Sequence, residues 1–199
     1  MTEKGVLIIV SAPSGCGKST IVHRLMEQRK NLRFSVSATT RAPREGEREG
    51  VDYFFVSREK FEEMIGDDAF LEHAEYVGNC YGTPIAPVDA MLNEGDDVYL
   101  DIEVQGAMQV KEKRPDTLLI FVMPPSLEEL ERRLVHRGTD SAEVIRSRLA
   151  TAQFEFGFRD RFDFVVVNDV VDRAVQEISD LIDAHKKKIN NEMKNTIEE

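Results

Sequence analysis

Apolar positions in this chain fall into short solid runs separated by stretches of helical spacing, and that alternation predicts a parallel sheet covered by helices. Residues 6–10 (VLIIV) are apolar without polar alternation and rich in β-branched side chains, the pattern of a strand buried on both faces. Ile21, Val22, Leu25 and Met26 then recur at helical spacing, predicting a helix from near Lys18 to about Lys30 with Asn31 as its stop. DVYLDIE (97–103) and LLIFVMPP (118–125) read as further buried strands, and FDFVVVND (162–169) as the last. Between them, Pro87 opens a helix that Gly95 closes. Ser126 with Glu129, and Asp140 with Glu143, have capping-box spacing, predicting helices over 127–136 and 141–156. Val175, Ile178, Leu181 and Ile182 stripe a closing helix, after which the polar end KKKINNEMKNTIEE reads as frayed or disordered.

Residues 34–56 break this rhythm with short strands around a loop rich in Arg, Glu and Gly. A helix over 58–65 capped by Ser57, and the segment FLEHAEYVGNCYGTP, continue the same unit to Thr83, which reads as an inserted antiparallel lobe. The expected organisation is an α/β core from 1–33, 84–125 and 158–199, a lobe over 34–83, and a helical lid over 126–157 joined by the Gly-containing link HRGT.

The first strand meets its helix through SAPSGCGKST, and this loop carries the chemistry. Gly15 and Gly17 let backbone N–H groups close around an anion while the helix aims its positive end at the same point. Lys18 brings a mobile full charge to the outer phosphates, and the Ser19 hydroxyl suits magnesium. Ala12 stands where the P-loop pattern asks for glycine; a dinucleotide-binding loop would need glycine at Thr20. The expected fold is therefore a three-layer P-loop architecture with a central parallel sheet, a mixed α+β lobe and a lid.

Composition narrows the partners. At 199 residues with a net charge of −11, the chain is suited neither to general nucleic-acid binding nor to an anionic membrane, so a phosphate site must be a local cationic cluster. No apolar run approaches the roughly 18 residues of a membrane span, and the N-terminus lacks a signal-peptide pattern, so a soluble cytoplasmic protein is expected. Cys16 and Cys80 sit among glycines in expected loops and read as free thiols in a reducing compartment, Cys16 as a small tolerated side chain. His23, His73, His136 and His185 have no spacing that suggests catalysis or metal binding.

Two further clusters stand out. Arg41, Arg44 and Arg48 lie among Glu45, Glu47 and Glu49, a composition that by itself suits a self-paired surface turn. Ser37, Thr39, Thr40, Tyr53 and Tyr81 surround it with hydroxyls, which together with guanidinium forks would hold a second phosphate. Arg132, Arg133, Arg137, Arg146 and Arg148 mark the lid; some pair with neighbouring glutamates, while Arg133, Arg137 and Arg148 are the candidates for stabilising a phosphoryl group in flight. Two phosphate-holding places suggest a kinase whose acceptor is itself phosphorylated.

In order, SAPSGCGKST, SATTRAPREGE, DYFFV, FLEHAEYVGNCYGT, LDIEVQG, RRLVHRGTDS and VVVND resemble the guanylate kinase family from about Val6 to His185. The resemblance implies magnesium-dependent transfer of the γ-phosphate of ATP to GMP, with dGMP as a further acceptor. It implies that residues 12–20 (Ala12, Pro13, Ser14, Gly15, Cys16, Gly17, Lys18, Ser19, Thr20) and Asn168 hold ATP, with Asn168 on the adenine side or capping the last helix. Ser37, Glu72 and Thr83 would meet guanine, and Arg41, Arg44, Tyr53 and Tyr81 would hold the GMP phosphate; Glu47 and the acidic pair Asp101 and Glu103 would also belong to the GMP site, Glu103 toward the guanine or ribose, Asp101 near magnesium through water or orienting Arg41. Glu103 stands where the family often has aspartate, Cys80 for an aromatic residue and Thr83 for serine. Guanine offers N1–H and N2–H₂ donors beside the O6 acceptor, so one carboxylate takes both donors, and adenine reverses the pattern.

Other readings stay open on sequence alone. A guanylate-kinase-like module that binds phosphopeptides would tend to lose the phosphate loop, whereas Lys18 and Ser19 are present. A GTPase would carry an Asn-Lys-x-Asp motif, which is missing, and a kinase for another monophosphate conflicts with the Ser37, Glu72 and Thr83 set.

Overall fold

The computed structural model describes residues 3–136, 138 and 140–197. In chain order the core begins with β1 (Leu7–Ser11), α1 (Lys18–Gln28) and β2 (Leu32–Phe34). The lobe follows as β3 (Ala38–Thr39), β4 (Phe54–Phe55), α2 (Arg58–Gly66), β5 (Phe70–Tyr76) and β6 (Asn79–Pro84). The core resumes with α3 (Ile85–Glu94), β7 (Asp97–Leu100), α4 (Val104–Lys113) and β8 (Leu118–Met123). Two further helices follow, α5 (Leu127–His136) and α6 (Ala142–Phe156), and β9 (Phe164–Val167) and α7 (Val171–Ile197) close the chain.

All five core strands run parallel in the order β2-β7-β1-β8-β9. Successive residues of β1 serve opposite faces. Ile8 and Val10 join Ile21 and Leu25 of α1 and Val175, Ile178 and Ile182 of α7, while Leu7 and Ile9 join Val88 and Leu92 of α3 and Val104 and Val110 of α4. Both faces are covered by helices, which explains why the run at 6–10 has no polar alternation.

Several boundaries differ from the sequence reading. Leu32–Phe34, too short to show a period, is an edge strand paired with β7 from Leu32↔Asp97. The polar end is helical to Ile197 rather than frayed. A buried anchor explains part of this: Asp97, with no exposed surface, accepts from Lys186 at 2.8 Å, Asn31 at 2.9 Å, the Val6 amide at 3.1 Å and Arg29 at 3.2 Å. Helix α3 starts at Ile85, so Pro87 lies within its first turn, where a missing N–H costs no helical bond. Gly95 ends it at φ +93°. Ser57 and Ser126 cap as expected, taking the amides of Lys60 at 3.1 Å and Glu129 at 3.2 Å. For α6 the cap is Ser141, through Val144 N–H at 3.3 Å, and Asp140 turns instead to Arg148.

The lobe sheet, ordered β4-β3-β6-β5, is mixed rather than antiparallel, because β3 and β4 run parallel. It has its own apolar centre, in which Phe61 of α2 stacks on Phe70 at 4.5 Å. Cys80 lies within β6, not in a loop, and both cysteines are buried and free. Among the described residues no helix is long and apolar enough to cross a membrane.

Candidate active site

Strand β1 delivers the chain at Ser11 to a six-residue loop, 12–17, that feeds α1. Gly15 (φ +96°) and Gly17 (φ +88°) adopt the left-handed conformation, and space is as restrictive as the backbone. A Cβ on Gly15 would lie 2.9 Å from Leu134, and one on Gly17 would lie 2.4 Å from the Asn168 amide. Ala12 needs no such conformation and packs its methyl against the apolar core, so the departure from glycine there is accommodated. No side chain caps α1, which leaves its first N–H groups for an anion. Cys16 is sealed beneath Leu130 and Leu134, and burial pushes its thiol up to about 12, so it is inert.

Lys18 pairs with Asp101 just past β7, and Asp101 also accepts from the Tyr99 hydroxyl at 3.0 Å. Burial, with Asp101 adding to it, raises the Tyr99 phenol well above its usual range, so it stays a donor. Asp101 therefore engages Lys18 at the start of α1; the partner of Arg41 is Glu47. Ser19 and Thr20 sit exposed on the first turn of α1.

Helices α5 and α6 reach the loop directly. Arg148 of α6 donates to Ser14 Oγ at 2.6 Å and pairs with Asp140 at 3.2 Å. Arg133 of α5 donates to Glu129 at 2.8 Å and to the Asn168 carbonyl at 2.9 Å. Arg132 and Arg133 together hold the Glu129 carboxyl down to about 2. Arg137 lies outside the described residues. Asn168, expected on the adenine side or as a cap, is only 2 % exposed and donates its amide to the Cys16 carbonyl at 2.7 Å. It braces the 12–17 loop from below and is turned away from solvent.

In the lobe, Glu47 grips the Arg41 guanidinium with both oxygens, at 2.8 and 3.0 Å, and accepts the Arg44 amide at 2.7 Å. This pairing, the hydrogen bond first, raises Arg41 and lowers Glu47 from their ordinary values. Arg41 also lies 5.3 Å from the centre of the Tyr53 ring, which meets Tyr81 edge-on at 6.2 Å. Arg44 stands exposed beside them.

A cavity of about 470 Å³ joins the two ends, lined by Lys18 and Asp101 on the core side and by Ser37, Tyr53, Glu72 and Tyr81 on the lobe side, with Glu103 between. Glu72 is 7 % exposed and accepts from Thr83 Oγ1 at 2.6 Å. Thr83 therefore directs its one proton to Glu72 rather than into the cavity. Burial chiefly, and then Glu103, raises the Glu72 carboxyl above its ordinary value despite that bond. Sequence reading missed Tyr99, Gly106 and Gln109 and gave Asp140 only a capping role, whereas Glu129 was legible as an arginine partner from its helical spacing to Arg132 and Arg133. Of the missed residues, only Gly106 carried a signal, within LDIEVQG: it sits where a Cβ would lie 3.1 Å from Glu72 Oε2.

A family model described as guanylate kinase matches residues 4–185. A guanylate kinase of Lactococcus lactis subsp. lactis is 52 % identical over 190 residues, covering 96 % of this chain and 93 % of that protein. One from Enterococcus faecalis is 52 % identical over 183 residues, covering 92 % and 90 %. The crystal structure of guanylate kinase from Anaplasma phagocytophilum is similar at a TM-score of 0.70 and 36 % identity, over 94 % of this chain and 88 % of that one.

Proposed function

This chain belongs to the guanylate kinase family, and from that membership we infer that it transfers the γ-phosphoryl group of ATP to GMP, yielding ADP and GDP. The observation that carries the reading to particular residues is the single cavity shared by the phosphate-loop Lys18 and the buried Glu72. In this reading residues 12–20 cradle the ATP phosphates, and Arg41, Arg44, Tyr53 and Tyr81 hold the acceptor phosphate, with Glu47 presenting both arginines. Glu72 accepts from guanine N1–H and N2–H₂, Ser37 donates to O6, and Thr83 holds Glu72 in place. dGMP, which differs only at the sugar, fits the same base contacts.

The acceptor brings its own nucleophile. A monophosphate carries about −1.5 to −2 charge at neutral pH, so no protein base is needed. The protein's work is to bring two polyanions together, neutralise them and exclude water. Lys18 follows the phosphates, and Arg148 and Arg133 bring guanidinium donors from the lid toward the phosphate loop. Arg137 belongs to the same lid segment.

Among the described residues no three carboxylate, imidazole or thiol groups come together as a metal cage. The Ser19 hydroxyl and Asp101 carboxylate, directly or through water, suit magnesium, which keeps several waters and takes its other ligands from nucleotide phosphates. When bound there it would neutralise phosphate charge. The free buried thiols of Cys16 and Cys80 suit a reducing cytoplasm. We read the lobe as residues 34–83 and the lid as 126–157, moving against the core as the nucleotides bind.

A coupled assay of ADP release with GMP, AMP, CMP and UMP tests the assignment. Turnover with GMP far above the others, abolished in Lys18→Ala, is expected. Comparable rates with AMP would refute the role given to Glu72, and no turnover with any acceptor would favour a binding module.

A further inference from the structure

We propose that Gln109 is a positioning residue for guanine selection: its side-chain amide clasps the backbone of the β5 bulge that aims Glu72 into the cavity. The proposal rests on Glu72 being the base-reading group. In the β5–β6 ladder, Phe70 pairs with Pro84 and His73 with Gly82, so two residues, Leu71 and Glu72, stand opposite Thr83 alone. A regular strand would send Leu71 and Glu72 to opposite faces. Here both meet α4. Leu71 packs in the apolar cluster with Val104, Ala107 and Val110, and Glu72 Oε2 sits where a Cβ on Gly106 would lie 3.1 Å away. The extra residue in the bulge supplies that re-aiming.

A bulge leaves the ladder locally unpaired, and the residue that ends this one is His73. Its N–H donates to Gln109 Oε1 at 3.2 Å, and its carbonyl accepts from Gln109 Nε2 at 3.3 Å. A primary amide that donates and accepts at one residue imitates the next strand of a sheet. Gln109 lies one turn after Gly106 on α4, so the glycine that makes room for Glu72 and the amide that holds its backbone share a helical face. The clasp ties the lobe strand to a core helix at the point where the base-reading carboxylate leaves the chain. Gln109 itself is exposed, so its contribution is orientation rather than buried area.

The test is a double-mutant cycle on GMP kinetics with Gln109→Ala and Glu72→Gln, and Gln109→Glu as a milder change that keeps the acceptor but loses the donor. Gln109→Ala is expected to raise KM for GMP about tenfold, the scale of two lost hydrogen bonds. KM for ATP should stay the same, kcat at saturating GMP should change less than threefold, and discrimination against AMP should narrow. Gln109→Glu should fall between Gln109→Ala and the parent. On the Glu72→Gln background, Gln109→Ala should add less than twofold, because the group it aims is already disabled. Equal factors in both backgrounds, or an unchanged KM for GMP in Gln109→Ala, would overturn the proposal while leaving base reading by Glu72 intact. An unchanged KM for GMP in Glu72→Gln would instead remove the premise. A thermal melt of each variant identifies any loss that comes from unfolding.

Discussion

Thr83 gives its hydroxyl proton to Glu72 across 2.6 Å, so one oxygen of the cavity's buried carboxylate is tethered to the lobe sheet. Burial still raises that carboxyl, which means the folded protein stabilises the ionised group less well than water does. In the role proposed for Glu72, accepting from guanine N1–H and N2–H₂ requires the ionised form. KM for GMP is therefore expected to rise as pH falls through a value above the ordinary glutamate range of about 4.3. The corresponding KM for ATP should follow a different profile. A GMP profile that breaks at or below the ordinary range would contradict this.

The same raised value predicts a conflict between stability and recognition. A carboxyl with a higher value folded than unfolded stabilises the fold most at low pH and loses that contribution as pH rises through the folded value. Glu72→Gln removes the titration while retaining an acceptor for Thr83. Its melting temperature should exceed that of the parent by a margin that widens as pH rises from the ordinary glutamate range through the higher folded value and then holds, even as GMP selectivity is lost. Melting curves at several pH values, without nucleotide, measure it.

Glu47 fixes the Arg41 fork and the Arg44 backbone together, and preorganisation of this kind is what keeps a charged loop from dissipating binding energy. Glu47→Ala should raise KM for GMP about tenfold, and Arg41→Lys should raise it further because an ammonium lacks the fork. Initial-rate kinetics with varied GMP distinguish these from a fall in kcat.

Arg148 of α6 contacts Ser14 in the loop after β1, whereas Arg132 pairs with Glu129 on its own helix. Arg148→Ala should lower kcat by about a hundredfold or more, since arginines brought to a transferring phosphoryl group are worth roughly a thousandfold or more in related chemistry. Arg132→Ala should change it little. Equal effects would mean that the lid acts through its net charge.

Asp97 is fully buried and holds Arg29, Asn31, Lys186 and the Val6 amide, joining the C-terminal helix to the central sheet. Removing one partner of a buried ion pair costs about 3 kcal/mol or more because the others are left uncompensated. Asp97→Ala should lower stability by that order in urea unfolding, with KM for both nucleotides nearly unchanged.

What the chain determined without its fold is whatever a local period or a local constraint encodes. The solid run at 6–10 needed only its own residues to declare a strand covered on both faces, and Gly15 and Gly17 needed only their spacing to declare a tight glycine turn into the helix that Lys18 begins. The capping serines Ser57 and Ser126 were legible for the same reason. Tertiary structure decided everything that depends on residues far apart in sequence. It made β2 a strand, because three residues have no period until β7 pairs with them. It kept the polar end helical where Asp97 meets Lys186 across the fold, and it turned Asn168 into a brace of the loop. It also assigned Arg41 to Glu47 and Asp101 to Lys18. Opposite charges are interchangeable on paper, and only their distances in the fold choose the pairs.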